Sequence, residues 1–162
     1  MIGGNNNAYE ICIDAASATA AGTITSQVID TLISSSLNTR ANYLSLPIWS
    51  TTSDVVSNCP TVLKLQEADV TNTSSFTDIV AFVGGTQTSA TVGYVIPNWP
   101  TATTQQVQVA FEVDLKARKR YIRLLVSPAT SQTYKAIAIL SRSGIASATA
   151  AYKNVSGIVV SG

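Results

Sequence analysis

Residues that could carry catalysis are few. The chain has no histidine, which removes the commonest general base and the usual metal ligand. A spacing of two would place Glu112 and Asp114 on one face of a strand, where a hydrolase could use them, but an exposed polar strand face is the interpretation we favour. Asp69, Asn72 and Asp78 offer oxygen ligands in one loop, although their spacing matches no dedicated calcium loop. We therefore expect no enzyme, no metal and no cofactor.

Charge is divided unevenly along the chain. Residues 1–114 hold all nine acids and only two bases, Arg40 and Lys64, a formal net charge of −7. Residues 115–162 hold eight bases and no acid. Five of these bases form what we call the basic cluster: Lys116, Arg118, Lys119, Arg120 and Arg123.

Such a density of cations could attract phosphate. Nucleic-acid surfaces usually add stacking aromatics, however, and this cluster contains Tyr121 alone. We therefore do not expect nucleic acid as a partner. We expect the basic cluster to meet carboxylates of the acidic part, in the same or an adjacent subunit, and to lie at a protein interface.

Three aromatic residues suit a second kind of binding. Trp49 and Trp99, together with Tyr94, could form a flat platform for a sugar. Both tryptophans lie close to prolines in the sequence. Packing of loops against the core is therefore the interpretation we favour.

The composition predicts a folded all-β protein. Apolar residues make up 46% of the 162 residues and charged ones 12%, far from the composition of disordered chains. The other polar residues are Thr, Ser, Asn and Gln, which with Val and Ile suit antiparallel sheets. No apolar run is long enough to span a membrane, and the N-terminus lacks a secretory pattern. Cys12 and Cys59 lack metal-like spacing, and we favour reduced thiols over a disulfide.

Alternating apolar and polar residues mark the strands. The clearest strand is 106–115, with one face in the core and the other toward solvent. At 9–14, the same alternation puts Tyr9, Ile11 and Ile13 on the buried face. Further strands are predicted at 22–32, 43–49, 62–66, 79–83 and 92–96.

About eight short strands without a long helix predict an antiparallel β-sandwich, jelly-roll or immunoglobulin-like. Periodicity does not choose between these two topologies. Because proline cannot donate to a ladder, Pro47 predicts an edge strand or a bulge at 43–49.

The stretch 117–142, which begins with most of the basic cluster, is predicted to form a β-hairpin. Its returning run, 134–140, is apolar on both faces, which predicts a place inside a sheet or under another subunit. We divide the chain into a flexible arm at 1–8, the sandwich domain at 9–144, and an extension at 145–162. The extension either completes the sheet or contacts a neighbouring subunit.

Three stretches resemble small virion proteins of tailed bacteriophages. They are SQVIDTL at 26–32, LKLQEADVTNTSSFTDI at 63–79 and KRYIRLLVSPATSQTYKAIAILSR at 119–142. In that group, a strand ending in Leu-Gln-Glu-Ser/Ala-Asp leads into a loop with an aromatic and an Asp. A Lys-Arg-Tyr-hydrophobic-Arg strand then precedes an alanine-rich apolar strand. This chain has Ile33-Ser34 where the group usually has Gly-Tyr, and it continues past the predicted hairpin.

The resemblance implies a structural protein of the virion, without enzymatic activity. It would be made in the host bacterial cytoplasm and would sit on the outer capsid surface as a decoration or cement subunit. Its partners would be the major capsid protein and further copies of itself, as a homotrimer, with no membrane. The alternative is a tail- or fibre-associated module that binds host-surface glycan through Trp49, Tyr94 or Trp99.

Overall fold

The computed structural model describes residues 7–19, 22–34, 39–50, 60–85, 93–96, 107–142 and 157–161. Within these ranges the chain forms strands and one short 3-10 helix, Thr73–Ser75. The strands are β1 (Asn7–Ala18), β2 (Ile24–Thr25), β3 (Ile29–Asp30), β4 (Leu32–Ser34), β5 (Thr39–Arg40), β6 (Tyr43–Ser50), β7 (Val62–Ala68), β8 (Thr77–Gly85), β9 (Tyr94–Val95), β10 (Val107–Asp114), β11 (Tyr121–Ser127), β12 (Gln132–Ser141) and β13 (Gly157–Ser161). The predicted all-β class is confirmed.

Two sheets pack face to face to form a sandwich. The five-stranded sheet has the order β1-β12-β6-β10-β13, and the six-stranded sheet has the order β2-β11-β7-β8-β9, with β3 also paired to β11. Neighbours are antiparallel except for β10 with β13 and β8 with β9, which are parallel. Strands β4 and β5 form a small separate ladder.

The core lies between the sheets and follows from the period of two in each strand. On β6, the alternate residues Leu44, Leu46 and Ile48 are fully buried. Phe111 of β10 reaches across to the six-stranded sheet, where it meets the rings of Phe82 and Tyr94 edge-on at centroid distances of 5.6 and 5.7 Å. The other fully buried apolar residues on the six-stranded sheet include Leu63, Leu65, Ile122, Leu124 and Val126.

The hairpin predicted at 117–142 is wrong. Strand β11 pairs with β7, β2 and β3 in the six-stranded sheet, whereas β12 pairs with β1 and β6 in the five-stranded sheet. Residues 128–131 therefore carry the chain from one sheet to the other. Each strand turns a largely apolar face to the common core, and the two strands contribute to opposite sides of the sandwich. The prediction that 134–140 lies inside a sheet is confirmed.

Pro47 does not mark an edge, because β6 lies between β12 and β10. Its register with β12 is constant from Tyr134↔Ser50 to Ser141↔Tyr43, but the ladder is interrupted opposite Ile137 and Ala138. Proline has no backbone N–H, so a gap in one ladder accommodates it without moving the strand. On the other side, Pro47 is paired with Ala110.

The outward face of β10 is not a solvent face. Ala110 and Glu112 point away from the core residues Val109 and Phe111, yet they are only 3% and 8% exposed. Strand β10 lies between β6 and β13, and Ser45 of β6 donates a hydrogen bond to Glu112 on this face. Strand β13 thus completes the five-stranded sheet with residues that the sequence analysis assigned to an extension.

Candidate functional site

Most of the basic cluster lies on the connection between the two sheets, just before β11. Here Arg120 forms a bidentate ion pair with Asp30 of β3. Its Nε donates to Oδ1 at 2.9 Å and its Nη2 to Oδ2 at 2.7 Å. These hydrogen bonds lower the pKa of the Asp30 carboxyl below its usual value. The pair links the intersheet connection to the six-stranded sheet.

The next two cations meet the end of β7. The Arg118 guanidinium lies 3.8 Å from the Glu67 carboxylate, and the Lys119 ammonium lies 3.7 Å from Asp69. The backbone N–H of Lys119 also donates to Glu67 at 2.9 Å. The expected meeting of the basic cluster with the acidic part is therefore observed for these cations within a single subunit.

Arg40 was not among the residues predicted from the sequence to form a site. It holds the connection between β10 and β11 in place by hydrogen bonds to its backbone. Its Nη2 donates to the carbonyl oxygens of Arg118 and Lys119 at 3.1 and 2.9 Å, and its Nε donates to the hydroxyl of Thr31 at 3.1 Å. A guanidinium suits this role because it presents several donors in one plane. One indication of this role is present in the sequence: Arg40 is one of only two bases in residues 1–114, which hold nine acids.

The two ends of the basic cluster make other contacts. The side chain of Lys116 is 63% exposed, 4.0 Å from Asp114 and 5.7 Å from the centre of the Tyr43 ring. Arg123 stacks on Phe76 at 4.2 Å and donates to Gln66 at 2.8 Å. The structure thus brings Arg118, Lys119 and Arg120 together and separates Arg123 from them. A phosphate would have to displace carboxylates that already hold these three cations.

An apolar surface lies on the outer face of the five-stranded sheet. Tyr9 and Ile11 of β1 are 67% and 58% exposed, and they pair with Ile139 and Ile137 of β12. Partners in an antiparallel ladder project to the same side, so these four residues form one patch. We call Tyr9, Ile11, Ile137 and Ile139 the outer apolar strip. Ile137 and Ile139 are partly exposed, and contiguous apolar surface commonly marks interaction sites.

A bulge explains why Tyr9 and Ile11 face outward, although the alternation of residues predicts that they are buried. The β1–β12 register shifts between Ile11 and Ile13, and Cys12 and Ile13 are both buried. One extra residue at a bulge reverses the alternation that follows it. The sequence alternates strictly across 9–13, but the side chains do not alternate between the two faces there. Those N-terminal to the bulge face outward.

The candidate sugar platform is not assembled by the residues that the structure describes. Tyr94 is half-buried against the core, and its hydroxyl donates to the carbonyl of Leu63 at 2.7 Å. Trp49 alternates with the buried Ile48 and so projects from the outer face, beside Lys135 in the ladder. The two rings lie on opposite sides of the five-stranded sheet. Trp99 is outside the described ranges, and its role stays a prediction.

The candidate catalytic and calcium-binding carboxylates are engaged with protein groups. Glu112 accepts a hydrogen bond from Ser45 at 2.9 Å, and Asp114 accepts one from the backbone N–H of Lys116 at 2.9 Å. Asn72 caps the 3-10 helix by accepting the backbone N–H of Ser74. In the described ranges, no three Asp, Glu, Cys or His residues are grouped as a metal site would require.

Asp78 belongs to a row of polar side chains on the outer face of the six-stranded sheet. Lys64 donates to one carboxylate oxygen at 2.9 Å and Gln66 to the other at 2.6 Å. Burial alone would raise the pKa of Asp78, but these hydrogen bonds outweigh it and the pKa is lowered. Through Gln66 the row continues to Arg123.

Cys12 carries a free, buried thiol that donates to the carbonyl of Ala136 at 3.3 Å. Burial raises the pKa of this thiol to about 12, so the reactive thiolate is scarce at neutral pH. The prediction of a reduced thiol is confirmed for Cys12. Cys59 lies outside the described residues.

Comparisons with protein-family models, curated proteins and solved structures find no significant match to this chain. The helical part of the described chain is the single 3-10 turn, and no helix there is long and apolar enough to cross a membrane.

Proposed function

We propose that this chain is a structural protein of a bacteriophage virion, a decoration or cement subunit on the outer capsid surface. Its partner is the major capsid protein, which it contacts through the outer apolar strip. The proposal combines the sequence resemblance with one structural observation: Tyr9 and Ile11 are largely exposed side by side on a β-sandwich.

The strip supports a binding function on energetic grounds. Covering a large apolar side chain contributes about 1.5–3 kcal/mol, so burying the exposed parts of Tyr9 and Ile11 together contributes about 2–3 kcal/mol. Repetition over many copies on a shell would add such contributions. The resulting cohesion would oppose the outward pressure of packaged DNA.

The charge arrangement supports a protein partner over nucleic acid. Arg118, Lys119 and Arg120 already face carboxylates of their own subunit. Their long-range attraction for phosphate is reduced accordingly. In the proposed homotrimer, these ion pairs stabilise each subunit, while the strip supplies the contact with the shell.

The decisive experiment is co-sedimentation of purified protein with empty capsids of the virus that encodes it. The double variant Tyr9→Thr/Ile11→Thr keeps β-forming residues on β1 and removes the apolar strip from that strand. We expect its affinity for capsids to fall about 30-fold, from a loss of about 2 kcal/mol.

The matched control is Val80→Thr/Val95→Thr. These valines are 66% and 44% exposed on the six-stranded sheet, and we expect capsid affinity within about twofold of the unaltered protein. If the unaltered protein does not bind capsids, and virions lacking it withstand heat equally well, the cement function is wrong. Glycan-array binding without capsid affinity would instead support the tail or fibre alternative.

A further inference from the structure

Strand β10 is an acceptor that requires an added strand. Its residues from Val109 to Val113 are all buried, on both faces. On one side it pairs with β6, and on the other with the five residues of β13, from Val109↔Gly157 to Val113↔Ser161. Without β13, β10 would become an edge strand, and its backbone N–H and C=O groups that now face β13 would have no partner in the ladder.

The donor strand is attached by a long connection. Strands β12 and β10 are both antiparallel to β6, and β13 is parallel to β10, so β12 and β13 point the same way. Ser141 at the end of β12 and Asp114 of β10 are both paired with Tyr43 of β6, so they lie at the same height along the sheet. Gly157 at the start of β13 is paired with Val109, five residues before Asp114. The chain must return about 17 Å along the sheet and about 14 Å across three strand spacings, a span of about 22 Å.

The covalent connection is much longer than this span requires. Sixteen steps of backbone separate Ser141 from Gly157, and they reach about 55 Å when fully extended. The excess of about 30 Å is comparable to the diameter of a domain of this size. The same connection can therefore place β13 on a neighbouring subunit.

We infer that β13 is exchanged between copies, so that β13 of one subunit pairs in parallel with β10 of the next. Exchange of an identical strand recreates every contact of the closed subunit. The exchanged form therefore differs from the closed form only in the entropy of the connection and in its dependence on protein concentration. Passed around a threefold axis, the strand closes a ring and leaves no acceptor empty. This inference rests on the proposed function for the homotrimer that brings the copies together.

Concentration decides between the closed and exchanged forms. A tethered strand meets its own acceptor at an effective concentration on the order of millimolar. Dilute protein is therefore closed, as in the isolated subunit. Copies fixed next to one another on a shell present their acceptors at a comparable or higher local concentration, so that exchange competes with closure.

Engineered disulfides between register partners test the exchange. Neighbouring strands place paired Cα atoms about 4.8 Å apart, within the range that a disulfide spans. Ala110→Cys and Ile158→Cys are made as separate chains in a Cys59→Ser background and co-expressed. Cys12 stays in place, since this residue is 2% exposed.

We expect covalent Ala110→Cys/Ile158→Cys dimers on capsids and in concentrated protein, on a non-reducing gel. A chain carrying both substitutions should give closed covalent trimers under the same conditions and in-chain disulfides when dilute. The pair Val113→Cys with Ser161→Cys repeats the test at the far end of the ladder. Ile158→Cys mixed with Val80→Cys is the control for random collision, and it should remain uncrosslinked.

Exchange is wrong if the double variant gives only in-chain disulfides on capsids while the co-expressed single variants give no dimer. Capsid binding is measured by co-sedimentation of the same samples. Binding without interchain disulfides overturns exchange and leaves the proposed function standing. Interchain disulfides in concentrated protein without capsid binding overturn the proposed function and support exchange.

Discussion

Arg120 and Asp30 form a bidentate ion pair with two contacts of 2.9 and 2.7 Å, joining the connection between the sheets to β3. The backbone around them is paired as well, since Thr31 donates its N–H to the carbonyl of Arg120 at 3.0 Å. Both partners lie far apart in the sequence, in parts of opposite net charge. We therefore expect this ion pair to stabilise the fold of the single subunit.

Arg120→Gln should lower the urea midpoint of unfolding, because it removes both charge-assisted hydrogen bonds to Asp30. About 1 M salt should shrink the difference between variant and unaltered protein, since the pair is partly exposed and screened. Lys119→Gln is the control, with a more exposed partner 3.7 Å away, and it should have the smaller effect. Equal effects of the two substitutions would contradict the assigned role of Arg120.

Arg40→Met should loosen the connection before β11. The substitution keeps an unbranched apolar stem but loses three hydrogen bonds, two of them to the carbonyls of Arg118 and Lys119. We expect a loss of about 2 kcal/mol in unfolding free energy and faster amide hydrogen exchange in residues 116–120. Unchanged exchange there would show that other contacts hold the connection.

Gly93→Ala should destabilise the end of the six-stranded sheet. Gly93 has a φ of 75°, and an added Cβ would come within 2.7 Å of the carbonyl oxygen of Val80. We expect a loss of about 1–3 kcal/mol by chemical denaturation. Val95→Ala, at an exposed position nearby, should cost clearly less. Full stability of Gly93→Ala would mean that β9 is placed differently.

Acid should destabilise the protein through Asp30 and Asp78. Their pKa values are lowered in the folded state, so their contribution is present above the unfolded pKa of about 4 and is lost as the pH falls through the lower folded values. The urea midpoint of unfolding should fall as the pH is lowered from about 6 to about 2. Asp30→Asn should flatten the profile, because it removes one of the two carboxyls whose pKa is lowered.

Cys12 should resist thiol reagents in the folded protein. With a pKa of about 12 and almost no exposure, it should react with an aromatic disulfide reagent more than about 100-fold slower than in denaturant. The measurement uses a Cys59→Ser variant so that a single thiol is counted. Rapid labelling under native conditions would show that β1 separates from β12.

Part of the candidate site could be predicted from residue types. The uneven distribution of acids and bases along the chain predicted that Arg118, Lys119 and Arg120 would meet carboxylates, because opposite charges in one small domain attract one another. Which carboxylate each cation meets could not be predicted, since the partners lie on β3, on β7 and in the loop after it. The outer apolar strip was hidden because a single bulge after Ile11 exchanged the buried and exposed faces.

The sequence by itself determined the all-β class and the approximate position of most strands, because alternation is a local property of each strand. The tertiary structure alone decided which strands are neighbours. It separated β11 from β12, placed Pro47 in a central strand and brought β13 beside β10. Strand pairing joins residues that are distant along the chain, so it depends on how whole faces pack against each other, and no short stretch of sequence records that choice.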